Sequence, residues 1–230
     1  MKILALDSCM NTSSVALLED EKLIALYTVN TNNTHSETLL PMIKNLLSTA
    51  DVDIEEIDAY AVSYGPGSFT GVRIGVSTVK GLAFGRNKKC VEVSTIEALA
   101  SNLEGFEGII CPVMNARRGQ VYTGIFKGEN RLMDDECMML SDLVPILENY
   151  DERIYFVGDG YDLAIDYKIA NTQYTPEALR YANGYSVGKV AYKKIMSDMC
   201  VTDAQLRVNY LRKPQAERER EERLKSEEKI

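Results

Sequence analysis

Apolar and polar positions come in short blocks over the first third of the chain. Ile3-Leu4-Ala5-Leu6 is an apolar run closed by Asp7-Ser8, and two more runs, residues 15–18 and 23–29, follow after polar turns. Short apolar runs punctuated by turn residues predict three consecutive antiparallel strands, the first of them buried. The period then changes. Leu39, Leu40, Ile43, Leu46 and Leu47 recur at helical spacing behind His35-Ser36-Glu37-Thr38, with Thr34 or Ser36 as N-cap. An acidic connector over 51–58 leads to an apolar strand at 59–63, a glycine-rich turn and a helix over 72–83. In that helix Val72, Val76, Val79 and Ala83 share a face. Gly71 and Gly75 lie one turn apart, which lets another backbone approach. A strand at 90–93 and a helix at 95–103, capped by Ser94 or Thr95, complete the order β-β-β-α-β-α-β-α. An antiparallel meander feeding parallel strands makes a mixed sheet covered by helices, an α/β layered domain.

Beyond a weak boundary at 104–108, residues 109–114 and 120–126 alternate like paired strands around a turn at 115–119. A helix is expected over 141–149 with a serine cap. A strand is expected at 154–157, ending in Gly158-Asp159-Gly160, and a last helix over 188–196. Residues 161–182 carry no pattern that assigns an element. The expected organisation is a first lobe over 1–104, a smaller second lobe over 105–212 and a charged tail over 213–230. That tail, with Glu219/Arg223 and Glu221/Lys225 at i,i+4, is a solvated helix or disordered.

Composition narrows the function. A formal net charge of −8 disfavours gripping nucleic acid alone, because that affinity comes mainly from Lys and Arg neutralising phosphates; a local basic patch stays open. Five scattered cysteines with no CxxC pair argue for a reducing compartment and against a disulfide frame or zinc site. No apolar segment approaches the roughly 20 residues that span a bilayer, and the first apolar run is too short for a signal-peptide core. A cytoplasmic protein is expected.

The segment Tyr64-Gly65-Pro66-Gly67-Ser68-Phe69-Thr70-Gly71 is the most informative stretch. A strand, a glycine turn and a helix can aim backbone N–H groups at an anion. Yet no Gly-Lys-Ser/Thr follows, and Gly71 comes one residue late for the dinucleotide fingerprint. The loop either holds a phosphate or sets a tight start to the helix. Asp7 and Ser8, at the end of the first strand, would suit a magnesium-bound water beside a nucleotide phosphate, or simply an Asx turn. With Gly65 and Gly67 they make the candidate nucleotide site. His35, the single histidine, has Leu39 rather than a second histidine one turn later, which counts against a metal site by that route. No GxSxG occurs, Ser8, Ser13 and Ser68 have no base near them in sequence, and no catalytic residue is assigned. The wide apolar stripe on residues 39–47, beside the Gly71/Gly75 helix, raises a helix–helix protein interface against an ordinary core.

Leu4-Ala5-Leu6-Asp7-Ser8, His35-Ser36-Glu37, the run from Ser63 to Gly75 and Tyr210-Leu211-Arg212 resemble the bacterial TsaB (YeaZ) family, over residues 1 to about 212. The resemblance implies a two-lobed actin/Hsp70/hexokinase-like fold. It implies a non-catalytic subunit, without metal or other cofactor, of the machinery that places a threonylcarbamoyl group on adenosine 37 of tRNA. In that family the partners are TsaD, the metal-bearing transferase, and the ATPase TsaE; tRNA is met only through the complex, and a homodimer is plausible alone. The family's partner surface, carried over, falls on 36–47 and 72–83, with Leu39, Met42, Ile43, Leu46, Val72, Gly75, Val76 and Val79 as candidates. Gly75→Arg is then expected to abolish pairing. The rival readings are an ATP-binding or ATPase module of the actin-like superfamily and a metalloprotease-like hydrolase.

Overall fold

The computed structural model describes residues 1–31 and 33–212; the charged tail expected over 213–230 lies outside the described residues. The first half forms β1 (Lys2–Asp7), β2 (Thr12–Glu19), β3 (Lys22–Asn30), α1 (His35–Thr49), β4 (Ala59–Gly65), α2 (Phe69–Ala83), β5 (Lys89–Ser94) and α3 (Thr95–Ser101). The second half adds β6 (Ile109–Asn115), β7 (Gln120–Lys127), β8 (Asn130–Met139), α4 (Leu140–Leu147), β9 (Ile154–Val157), α5 (Tyr161–Ile165), β10 (Thr172–Gln173) and α6 (Gly184–Met196).

Two five-stranded sheets result, ordered β3-β2-β1-β4-β5 and β8-β7-β6-β9-β10. Each is an antiparallel meander extended by two parallel strands, so the second repeats the topology of the first. Both sheets are apolar on two faces, as strands covered on both sides must be. On β1, Leu4 and Leu6 face α1 and α2, whereas Ile3 and Ala5 face α3 and α6. The second sheet sends Ile110, Met114, Phe126, Tyr155 and Val157 into that same central layer, and Ile109, Cys111, Val113 and Phe156 toward α4 and α5. The layers therefore run α1/α2, sheet, α3/α6, sheet, α4/α5. Small residues on the central face of the first sheet admit α6 closely. A Cβ on Gly184 would meet the backbone of Val15 and Ala16, and one on Gly188 the side chain of Leu18.

Caps account for several boundaries. Thr34 caps α1; its backbone N–H donates to the Glu37 carboxylate at 3.1 Å. Ser94 caps α3, accepting from Ile96 and Glu97 N–H. Asn183 and Ser186 cap each other reciprocally, so α6 starts at Gly184 and not at 188. The serine cap expected for α4 is not formed. Met139 occupies that position, the Leu140 N–H donates to the Gly119 carbonyl at 3.0 Å, and Ser141 turns its hydroxyl to Asp142.

Candidate functional site: the glycine loop and the α1–α2 groove

The Tyr64–Gly71 turn is closed against its own chain. Ser68 N–H donates to the Cys9 carbonyl at 2.8 Å, and the Ser68 hydroxyl accepts from Gly71 N–H at 3.3 Å, capping α2. A Cβ on Gly67 would strike the Cys9 carbonyl, and one on Gly71 the Ser8 carbonyl. These glycines exist for close approach between the start of α2 and the β1–β2 turn. Gly65 is left-handed, with φ of 117°, and a Cβ there would strike the Asn209 carbonyl.

Asp7 and Ser8 are fully buried. Neither Asp7 carboxylate oxygen has a well-formed hydrogen bond among the described residues, nor do the buried hydroxyls of Thr12, Ser63 and Thr95. Burial is the main influence on Asp7 and lifts its pKa from 3.8 to about 6; Ser63 and the Cys9 backbone offset this only in part. The Cys9 backbone packs on Gly67 and the Asn209 carbonyl on Gly65, and Asp7 has no exposed surface.

His35 opens α1 and acts as a clamp. Its Nε2 lies 2.9 Å from the Met10 carbonyl, which can only accept, so Nε2 carries the proton and Nδ1 accepts from Ser13 Oγ at 2.6 Å. Ser13 Oγ is also 3.0 Å from Thr38 Oγ1. The fold thus brings together Ser13 and a base that lie far apart in sequence. Both ring nitrogens are spent on holding the β1–β2 turn against α1, and Ser13 is buried. Among the described residues no three His, Cys, Asp or Glu side chains gather as a metal site.

The eight interface candidates lie together on α1 and α2, but on the inward face. Leu39, Met42, Ile43, Leu46, Val72, Gly75, Val76 and Val79 are all buried within the chain's own core. Gly75 faces Ser8 Oγ and Val62, so Gly75→Arg would disturb the fold rather than report on pairing. The outward faces carry Leu40, which is 55% exposed, and Phe69, 40% exposed. With Ser36, Ile74, Thr78 and Leu82 they line a cleft of about 690 Å³ between the two helices.

A family model described as tRNA N6-adenosine threonylcarbamoyltransferase, TsaD, matches residues 29–219. The tRNA threonylcarbamoyladenosine biosynthesis protein TsaB of Bacillus subtilis is 38% identical over 162 residues, 69% of this chain and 71% of that protein. Its Escherichia coli counterpart is 35% identical over 139 residues, 56% of this chain and 60% of that protein. The solved structure of YeaZ from Pseudomonas aeruginosa superposes with a TM-score of 0.78 at 26% identity, covering 91% of this chain and 99% of that one. The chain belongs to the TsaB (YeaZ) family. It has that family's two-lobed actin/Hsp70/hexokinase-like fold, built on the repeated sheet topology.

Sequence reasoning missed the segment that ties this TsaB-family fold together. Residues 201–212 run back across the top of the first sheet as a strap. Val201 bridges to Cys90, Arg207 N–H donates to Glu92, and Asn209 N–H donates to the Tyr64 carbonyl at 2.7 Å. Tyr210 stacks on Phe69 with ring centroids 5.2 Å apart and accepts from Arg73 Nε at 2.6 Å. Arg212 then donates to the Ala116 carbonyl in the β6–β7 turn. Tyr210-Leu211-Arg212 was legible as a motif, and its job is to join the glycine loop to the second sheet.

Proposed function

We propose that this TsaB-family chain is a non-catalytic subunit of the tRNA threonylcarbamoyladenosine machinery, and that it docks the outward face of α1 and α2 on a TsaD-type transferase. The observation that carries this reading is the groove itself. Leu40 and Phe69 stand exposed around an apolar cleft, while the residues beneath them are packed too well for the surface to be a loose core. Large exposed apolar side chains at the centre of a two-helix surface suit a partner helix laid into the groove. The inward candidates from Leu39 to Val79 shape this surface from below.

The supporting role fits the chemistry. Asp7 is sealed from solvent, and His35 has both nitrogens engaged in structural bonds. On this reading the lobes span 1–104 and 105–212, with α6 and the strap of the second returning to the first. The machinery's ATPase, TsaE, and tRNA join through the complex, a homodimer through the same face forms when the transferase is absent, and the setting is cytoplasmic. Among the described residues no helix is long and apolar enough to cross a membrane.

Leu40→Arg tests the docking face. Leu40 is exposed, so the variant should fold as the wild type does yet fail to co-elute with the TsaD-type transferase from the same cell. Co-elution of the variant at wild-type strength would move the interface elsewhere.

A further inference from the structure

The β6–β7 turn reads Asn115-Ala116-Arg117-Arg118-Gly119. Three successive residues are left-handed there, Arg117 at φ 64°, Arg118 at 56° and Gly119 at 74°. Long unbranched side chains are uncommon in that region, where glycine, asparagine and aspartate are favoured. Both arginines are exposed, and neither has a hydrogen-bonded or ion-paired side chain among the described residues. The strap adds a third guanidinium, because Arg212 donates to the carbonyl of Ala116, the residue next to Arg117. Two residues back along the strap, at most about 7 Å between Cα atoms, Tyr210 holds Arg73 against Phe69, with the guanidinium carbon 3.7 Å from the ring centroid.

This concentration runs against the chain's composition. Acidic residues outnumber basic ones, 34 to 26. Arg86 and Arg131, elsewhere on the surface, have found carboxylates. The arginines at this turn have none within ion-pairing distance among the described residues. The carboxylate closest in the hydrogen-bond network, Asp159, accepts the Asn115 backbone N–H at 2.9 Å and so braces the turn from behind.

We infer that the Arg117–Arg118 turn, with Arg212, is a contact site for the phosphate backbone of RNA. Forked guanidinium groups match phosphate oxygens. Arg117 and Arg118 stand exposed and Arg212 lies half-exposed beside them, an open surface that suits a strand of successive phosphates better than one small anion. The aromatic pair Phe69–Tyr210 links this surface to the docking groove, so RNA held by the partner can continue across it. The site deepens the proposed function and rests on it for the identity of the RNA. The chain's net charge makes it a secondary grip that needs the partner, not an independent one.

The test is equilibrium binding of unmodified tRNA transcript across a salt series, to the full chain alone and to its complex with the transferase. The variant is Arg117→Asn with Arg118→Asn, since asparagine accepts left-handed backbone and keeps the turn. Arg153→Ala, another exposed arginine, is the control. Two lost phosphate contacts should lower the slope of log affinity against log salt by about 1.8, equivalent to about tenfold in affinity across a fourfold salt range. Thermal stability should not fall, and Arg153→Ala should change nothing. An unchanged slope in the asparagine variant overturns the site, as does an absence of tRNA binding by both chain and complex. Loss of transferase co-elution with RNA binding intact would reassign the turn to an acidic protein surface. If the wild-type chain never joins the transferase, the proposed function fails. That failure is read from co-elution and is distinct from an unchanged slope in a complex that forms.

Discussion

At the scale of single residues, the glycine loop shows how a motif can be legible while its purpose is not. The spacing of Gly65, Gly67 and Gly71 left a phosphate loop and a tight helix start both open. What the glycines admit is the backbone of Ser8, Cys9 and Asn209, contacts made across the sequence that no local pattern encodes. His35 has Leu39, not a second histidine, one turn later. Its bond to Ser13 was invisible because the β1–β2 turn and α1 meet only once the sheet forms. Asp7 couples folding to pH. Its folded pKa of about 6 lies above the ordinary 3.8, so the folded state binds the proton more tightly than the unfolded one. Stability from this group is therefore greatest below pH 4, declines as pH rises through 6, and is flat above; the loss is on the order of 3 kcal/mol. Asp7→Asn should raise the unfolding midpoint at pH 7.5 and flatten the decline between pH 4 and 6. Denaturant melts across that range check it, and an unaltered decline would place the titration elsewhere.

Elements were legible in proportion to their apolar contrast. β1, β4 and α1 announced themselves because their buried positions are apolar but for Asp7 and Ser63 toward the strand ends. The edge strand β8 did not. Its half-buried side includes Arg131 and Asp135, which pair with each other and reach Glu97 and Ser94 on the α3 side, so a polar pattern stands where alternation was sought. Residues 161–182 resisted because α5, the two-residue β10 and the turn at Glu177–Leu179 are each too short to establish a period. The wide stripe on α1 left a protein interface and an ordinary core both open. The helix instead divides it, Leu39 inward at 1% exposure and Leu40 outward at 55%. Leu39→Ala should cost about 3 kcal/mol by leaving a cavity, whereas Leu40→Ala should change stability by less than about 0.5 kcal/mol. Urea unfolding of the two neighbours separates them, and equal losses would refute the division of the helix.

The whole molecule is held at its centre. α3 and α6 sit between the sheets, and Glu104 accepts from Lys189 and Lys193, each at 2.8 Å, while Lys193 also reaches Glu129 in the β7–β8 hairpin at 3.0 Å. The Lys189 hydrogen bond, then that of Lys193, hold the Glu104 carboxyl down at about 2. The stability it contributes is full above the ordinary pKa of 4.5 and is lost as pH falls toward 2. The group is partly exposed, so Glu104→Gln should cost no more than about 1 kcal/mol at pH 7, with the difference from wild type vanishing near pH 2 in chemical denaturation. A constant difference at all pH values would mean that packing, not charge, is what the substitution removes. The repeated sheet topology was only half legible, since the second meander hid its edge strand. The strap from Val201 to Arg212 shows why: its contacts with Glu92, Tyr64 and Ala116 belong to the assembled molecule. On the proposed function this assembly presents α1 and α2 to a transferase, and light scattering on the chain mixed with the TsaD-type enzyme of the same cell is the measurement to make. A one-to-one species that survives chromatography is expected. Two separate peaks, persisting with ATP, magnesium and tRNA present, would contradict it.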